Sequence, residues 1–124
     1  MFSLRSTVIA SVILAAIPHA ASCSWSTNGH TWELSAYPIQ DCQGGSDYAW
    51  GTLGQGCHCG EFGSKTSDNV KSFVFTTITP GASIVFYSGT GCTGTVRGSS
   101  TTRWMDTSVG VADWAMQSFQ VCPY

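Results

Sequence analysis

Six cysteines, three histidines and seven carboxylates carry whatever chemistry this chain can do, and their spacing narrows it. Cys57-His58-Cys59 is the densest cluster. A structural zinc site takes cysteines two to four residues apart and a second ligand pair, and the chain offers neither. The cluster reads instead as an extended segment whose two sulfurs enter separate disulfides. Nucleophilic catalysis needs a base beside a nucleophile and a third group to orient it. His58 is enclosed by those cysteines, His30 follows the turn signal Asn28-Gly29, and no Gly-x-Ser-x-Gly elbow occurs. Glycoside hydrolysis needs two placed carboxylates; Glu33 falls on the outward side of a strand, where solvated charge is expected, and nothing pairs Glu61 with an aspartate. No catalytic residue is assigned and no enzyme activity is expected. Residues that could bind rather than react are the tryptophans Trp25, Trp50, Trp104 and Trp114. Trp50, Trp104 and Trp114 are the binding candidates, Trp104 for its place between Arg103 and Asp106 in a turn-rich stretch. Filling the core is the competing use of such side chains.

These groups belong to one domain. The first 22 residues read as a secretory signal peptide: Arg5, an apolar run over 7–17, then Pro18 and small residues up to Ser22. The run is too short to span a bilayer, and no second one exists, so no transmembrane segment is expected. Residues 23–124 keep all six cysteines: Cys23, Cys42, Cys57, Cys59, Cys92 and Cys122. An even number in a small secreted chain reads as a disulfide framework, with fifteen pairings open. The expected location is extracellular. Five Lys and Arg against seven Asp and Glu leave no basic patch, which excludes nucleic acid as a partner class.

Strands account for most of the rest. Residues 31–37 alternate, with Trp32, Leu34 and Ala36 on one side. Residues 47–52, 57–59, 70–77, 82–87, 95–98, 101–104 and 116–121 read as further extended segments, separated by Gly- and Pro-rich turns. Residues 107–115 are the one place for a helical turn, with Asp106 or Thr107 as its cap. Fourteen glycines and almost no helical periodicity make the chain all-β.

One spacing organises the whole. Tyr37-Pro38-Ile39-Gln40-Asp41-Cys42-Gln43-Gly44 and Tyr87-Ser88-Gly89-Thr90-Gly91-Cys92-Thr93-Gly94 both read Tyr-x-x-x-x-Cys-x-Gly. At an offset of 50, Trp32, Leu34 and Ala36 fall on Ala82, Ile84 and Phe86. At an offset of 46, Ser72 and Phe73 fall on Ser118 and Phe119. The order strand, corner, glycine turns, Ser-Phe strand therefore occurs twice.

This pattern resembles the Greek-key motif of the βγ-crystallins, with Cys42 and Cys92 in the place of the second aromatic residue. That replacement looks like the cysteine-rich secreted members of the superfamily, among fungal small secreted proteins and microbial killer-toxin-like proteins. The resemblance covers residues 30–121. It implies two Greek-key motifs forming a disulfide-stabilised βγ-crystallin-like sandwich. It also implies that Tyr37 and Tyr87 cover a folded hairpin, that Gly44 and Gly94 take conformations a Cβ disfavours, and that Ser72 and Ser118 bind hairpin backbone. It suggests one ligand, calcium: Asp68, Asn69 and Ser72 match the family's signature up to Phe73, where a serine is usual, and Lys71 lies among them. The second unit has no acidic pair in register, and no other cofactor is expected. By resemblance the protein is a small cysteine-rich, non-enzymatic, monomeric effector or antimicrobial, toxin-like protein acting on a protein or glycan partner. The alternatives are an inhibitor of a secreted hydrolase, using residues 89–91 or 99–102, and a carbohydrate- or cell-wall-binding protein.

Overall fold

A computed structural model of the chain describes residues 23–26, 28–52, 56–66, 69–77, 82–110 and 115–123. The leader expected over 1–22, and with it Asp68 and Trp114, lies outside them.

Among the described residues eight strands form: β1 (Trp32–Tyr37), β2 (Asp47–Gly51), β3 (His58–Glu61), β4 (Ser72–Thr77), β5 (Ala82–Tyr87), β6 (Val96–Ser100), β7 (Trp104–Asp106) and β8 (Ser118–Pro123). They make two antiparallel sheets, ordered β2-β1-β4-β7 and β3-β8-β5-β6. The chain is all-β, as expected, apart from a 3₁₀ turn at Gln40–Cys42. Each unit keeps its first, second and fourth strands in its own sheet and gives its third to the other sheet. The topology is therefore two Greek keys in a βγ-crystallin-like sandwich, and the offsets of 46 and 50 pair equivalent strands.

The core follows from the alternation. Trp32, Leu34 and Ala36 face Ile84, Phe86, Phe119 and Val121 across the sandwich, with Phe73 and Phe75 beside them, all buried. The structure departs from the sequence reading in two places. The last three strands start later than their sequences suggest, and β6 carries a register shift opposite Phe86 and Tyr87. Residues 107–110 are bends and coil rather than a helix, and 111–114 lie outside the described residues. Asp106 closes an Asx turn there and caps no helix among the described residues: Ser108 N donates to its Oδ1 at 3.0 Å.

The two corners are built alike. Ser72 Oγ donates to Ile39 O at 2.6 Å and accepts from Cys42 N at 2.8 Å. Ser118 Oγ donates to Gly89 O at 2.5 Å and accepts from Cys92 N at 2.9 Å. Both serines are fully buried. Cys42 and Cys92 share a left-handed backbone, φ 57° and 58°, so the hairpin folds tightly over its own sheet. Gly44 and Gly94 follow at φ 83° and 91°, which a Cβ disfavours. Bridges fasten both corners: Cys23–Cys42 holds the N-terminal arm to the first, and Cys59–Cys92 holds β3 to the second. Cys57–Cys122 closes β3 onto β8, so Cys57 and Cys59 enter separate disulfides and no cysteine is free.

Candidate functional site

Polar and aromatic groups gather on the outer face of the first sheet. In the registered pairs Glu33 lies between Trp50 on β2 and Thr76 on β4, and Ser35 lies between Tyr48 and Val74. Alternation thus sends Glu33 outward, as the sequence indicates, but not to water. Residues 23–26 and 28–30 cover that side of the sheet. Ser26 N donates to Thr76 Oγ1 at 3.1 Å, and Trp25 carries the Arg103 guanidinium 4.6 Å from its ring centroid. Under this arm Glu33 is only 3% exposed, and Val74 and Thr76 are buried too. The expectation of a solvated Glu33 is corrected, and its cause is the arm, which alternation within one strand does not register.

A buried carboxylate needs partners. Tyr48 OH donates to Glu33 Oε1, and His30 Nε2 lies 3.8 Å from the same oxygen. The His30 ring stacks on Trp50 at 4.1 Å between centroids and 17° between planes. Tyr48 and Trp50 are two apart on the edge strand β2 and so share a face. They remain 47% and 50% exposed. Glu33 and His30 therefore hold two large aromatic side chains in place while their outer surfaces meet solvent.

Desolvation first, and then the bond to Glu33, push the Tyr48 hydroxyl above its ordinary value, against an opposing hydrogen bond with Asn28. A phenol whose folded-state value is raised contributes stability that is complete below the ~10 of a free tyrosine and is lost as pH climbs beyond it. Absorbance titration should show Tyr48 ionising on the alkaline side of that value. Glu33→Gln should move the transition back toward neutral pH; an unchanged curve would break the assignment.

The other sequence candidates fall elsewhere. Trp104 packs edge-on against Phe73 at 4.8 Å and lies 5.6 Å from Phe86, at the margin of the core. Trp114 is outside the described residues. Of the calcium set, Asp68 is likewise outside them, Asn69 N donates to Thr66 O, and Ser72 spends its hydroxyl on the corner. Calcium takes six to eight oxygens. Of the described part of the set, the Ser72 hydroxyl is already engaged twice at the corner. Among the described residues no group of three His, Cys, Asp or Glu could hold a metal, and no helix is long and apolar enough to cross a membrane. Residues 89–91 are tied back: Gly89 N donates to Thr93 O and Gly91 N to Glu61 Oε1. Glu33 and Glu61 lie on different sheets with different partners.

His30 and Tyr48 were not binding candidates by sequence. The signal available for Tyr48 was its even spacing with Trp50; for His30 none existed, because its stacking depends on the arm.

In overall structure the chain is similar to the N-terminal domain of protein S. The two are 14% identical with a TM-score of 0.46, and the match covers 73% of this chain and 96% of that one. No family model and no curated protein matches the chain.

Proposed function

We propose that this is a secreted, non-enzymatic binding protein of the effector or antimicrobial, toxin-like kind, which engages its partner through the Tyr48–Trp50 face. One observation carries the reading: two half-exposed aromatic side chains stand side by side on an edge strand, fixed from beneath by Glu33 and His30. Large, ordered aromatics with a polar end are the residues that dominate binding surfaces. Three disulfides suit an oxidising, extracellular setting. All six cysteines are bridged, which removes the thiolate as a nucleophile, and His30 is occupied by Glu33 and Trp50.

The test applies oxidised protein at micromolar dose to plant tissue, fungi and bacteria, with Trp50→Ala in parallel. Wild type should act on one of them, and Trp50→Ala should need about thirtyfold more protein, the ratio that ~2 kcal/mol of lost hot-spot contact gives. Inactivity of the wild type in all three, or full activity of the variant, would overturn the reading. Retention on chitin or another glycan that is lost in Trp50→Ala would make the partner a glycan. A stable complex with a protease would favour the inhibitor alternative.

A further inference from the structure

Each sheet has two edge strands, and an edge strand offers a row of unpaired amides and carbonyls to any extended chain. Three of the four edges are short, charged or irregular. β7 is three residues long, with Arg103 before it and Asp106 at its end. β6 carries Arg97 and the register shift opposite Phe86 and Tyr87. β3 is four residues long and ends on Glu61. β2 has none of these defences. Its five residues keep unbroken register with β1 and include no Lys, Arg or Pro. Its one charge, Asp47, is turned inward at the start of the strand, where its Oδ2 accepts from Thr66 N and Oγ1. Among the described residues no strand lies on the other side of β2.

Behind that edge the sandwich is not filled. A cavity of about 190 Å³ lies between β2 and the end of β3. Leu34, Ala49, Phe62 and Phe119 form its apolar wall, and Asp47 and Tyr48 line it from β2. An apolar cavity of about 150 Å³ takes a benzene ring, so this one has room for a phenyl group. Tyr48 and Trp50 stand half-exposed on the outer face of the same strand. A chain laid beside β2 alternates its side chains between the two faces. One side chain then points to the cavity while its neighbours lie against the aromatic pair. A second copy of the chain does not supply that side chain. Two β2 strands paired antiparallel keep their inward faces on one side, and β2 turns only Asp47, Ala49 and Gly51 inward.

Resting on the Tyr48–Trp50 face as the binding surface, we propose that its partner is an extended polypeptide segment, which adds to the β2 edge as a further strand and seats one large apolar side chain in the cavity. Main-chain hydrogen bonds supply affinity in such strand addition, and the pocket supplies specificity.

The test uses the oxidised chain and capped nonapeptides of threonine, with a lysine at each end and phenylalanine, alanine or glutamate at the centre. The phenylalanine peptide should shift the methyl resonances of Leu34 and Ala49 saturably and slow deuterium exchange at alternate amides of β2. It should bind about tenfold more tightly than the alanine peptide, the ratio that burying a phenyl ring gives. The glutamate peptide should not bind. N-methylation separates strand pairing from stacking: methyl groups on one alternate set of peptide amides should abolish binding, and on the other set should spare it, because only one set faces β2. Ala49→Leu, which fills the cavity, should remove the preference for phenylalanine, and the methylated peptides decide the matter if that variant does not fold. Absence of saturable binding at millimolar phenylalanine peptide, equal binding of the phenylalanine and alanine peptides, or equal effects of the two methylated sets would overturn strand addition. So would a dimer in sedimentation that the phenylalanine peptide fails to dissociate, which would make the occupant a second copy. Trp50→Ala judges the underlying face separately. Peptide binding unchanged in that variant would keep the strand addition and overturn the aromatic face; activity on an organism that needs Trp50, without any peptide binding, would keep the face and overturn the strand addition.

Discussion

Replacing Cys57, Cys59, Cys92 and Cys122 together with alanine should leave the chain largely unfolded in water. The two bridges are nested: Cys59–Cys92 spans 33 residues and lies within the 65 spanned by Cys57–Cys122. Cross-linking stabilises mainly by restricting the unfolded chain, and a loop of 33 contributes about 4 kcal/mol. With the inner bridge in place, the outer one closes a loop only about half its nominal length, so it adds a similar amount and not more. Both together supply about 7 kcal/mol, against the 5–15 kcal/mol of a typical domain. Either pair replaced alone should cost about 3–4 kcal/mol and leave a cooperative transition. Cys23 and Cys42 replaced as a pair, with 19 residues between them, should cost about 3 kcal/mol. Urea denaturation followed by circular dichroism measures each case. A quadruple variant that unfolds within 2 kcal/mol of wild type would show that packing, not cross-linking, holds β3 in place.

Ser118→Ala should cost about 2–4 kcal/mol although it removes one oxygen atom. The hydroxyl is fully buried and satisfies two backbone groups at once, the carbonyl of Gly89 and the amide of Cys92. Alanine orphans both, and a buried group without a partner costs about 1–3 kcal/mol. Water cannot replace the hydroxyl without opening the corner. Ser72→Ala should behave the same way at Ile39 and Cys42. Ser83→Ala is the control: its hydroxyl makes a 3.3 Å bond to Cys122 O from a partly exposed position, and its loss should fall within 0.5 kcal/mol of zero, as for a surface substitution. If all three substitutions cost the same, the corner serines do not clamp.

The corners were legible because they are local. Tyr, Cys and Gly at fixed spacing, with a serine on a later strand, name a hairpin and the hydroxyl that closes it. The β1 core face was legible for the same reason, since Trp32, Leu34 and Ala36 alternate within six residues. Glu33 was not. Its burial depends on the arm of residues 23–26 and 28–30 crossing a sheet it does not join, and no periodicity within β1 carries that information. Trp104 sits in a turn-rich stretch that suggests exposure, yet the register of β7 against β4 turns its ring to Phe73. Disulfide pairing was open because order along the chain does not reveal which strands exchange sheets.

That exchange has a consequence for how the molecule comes apart. β3 belongs to the first unit by sequence and to the second sheet by hydrogen bonding, and β7 reverses the arrangement. Neither half of the chain can detach without tearing an edge strand from the other half's sheet, and two covalent links hold β3 where it lies. Central amides on β1, β4, β5 and β8 should therefore exchange with deuterium through a single global opening, at one common rate under conditions where reclosure is fast. A molecule so interlaced offers a protease no half-open intermediate to cut.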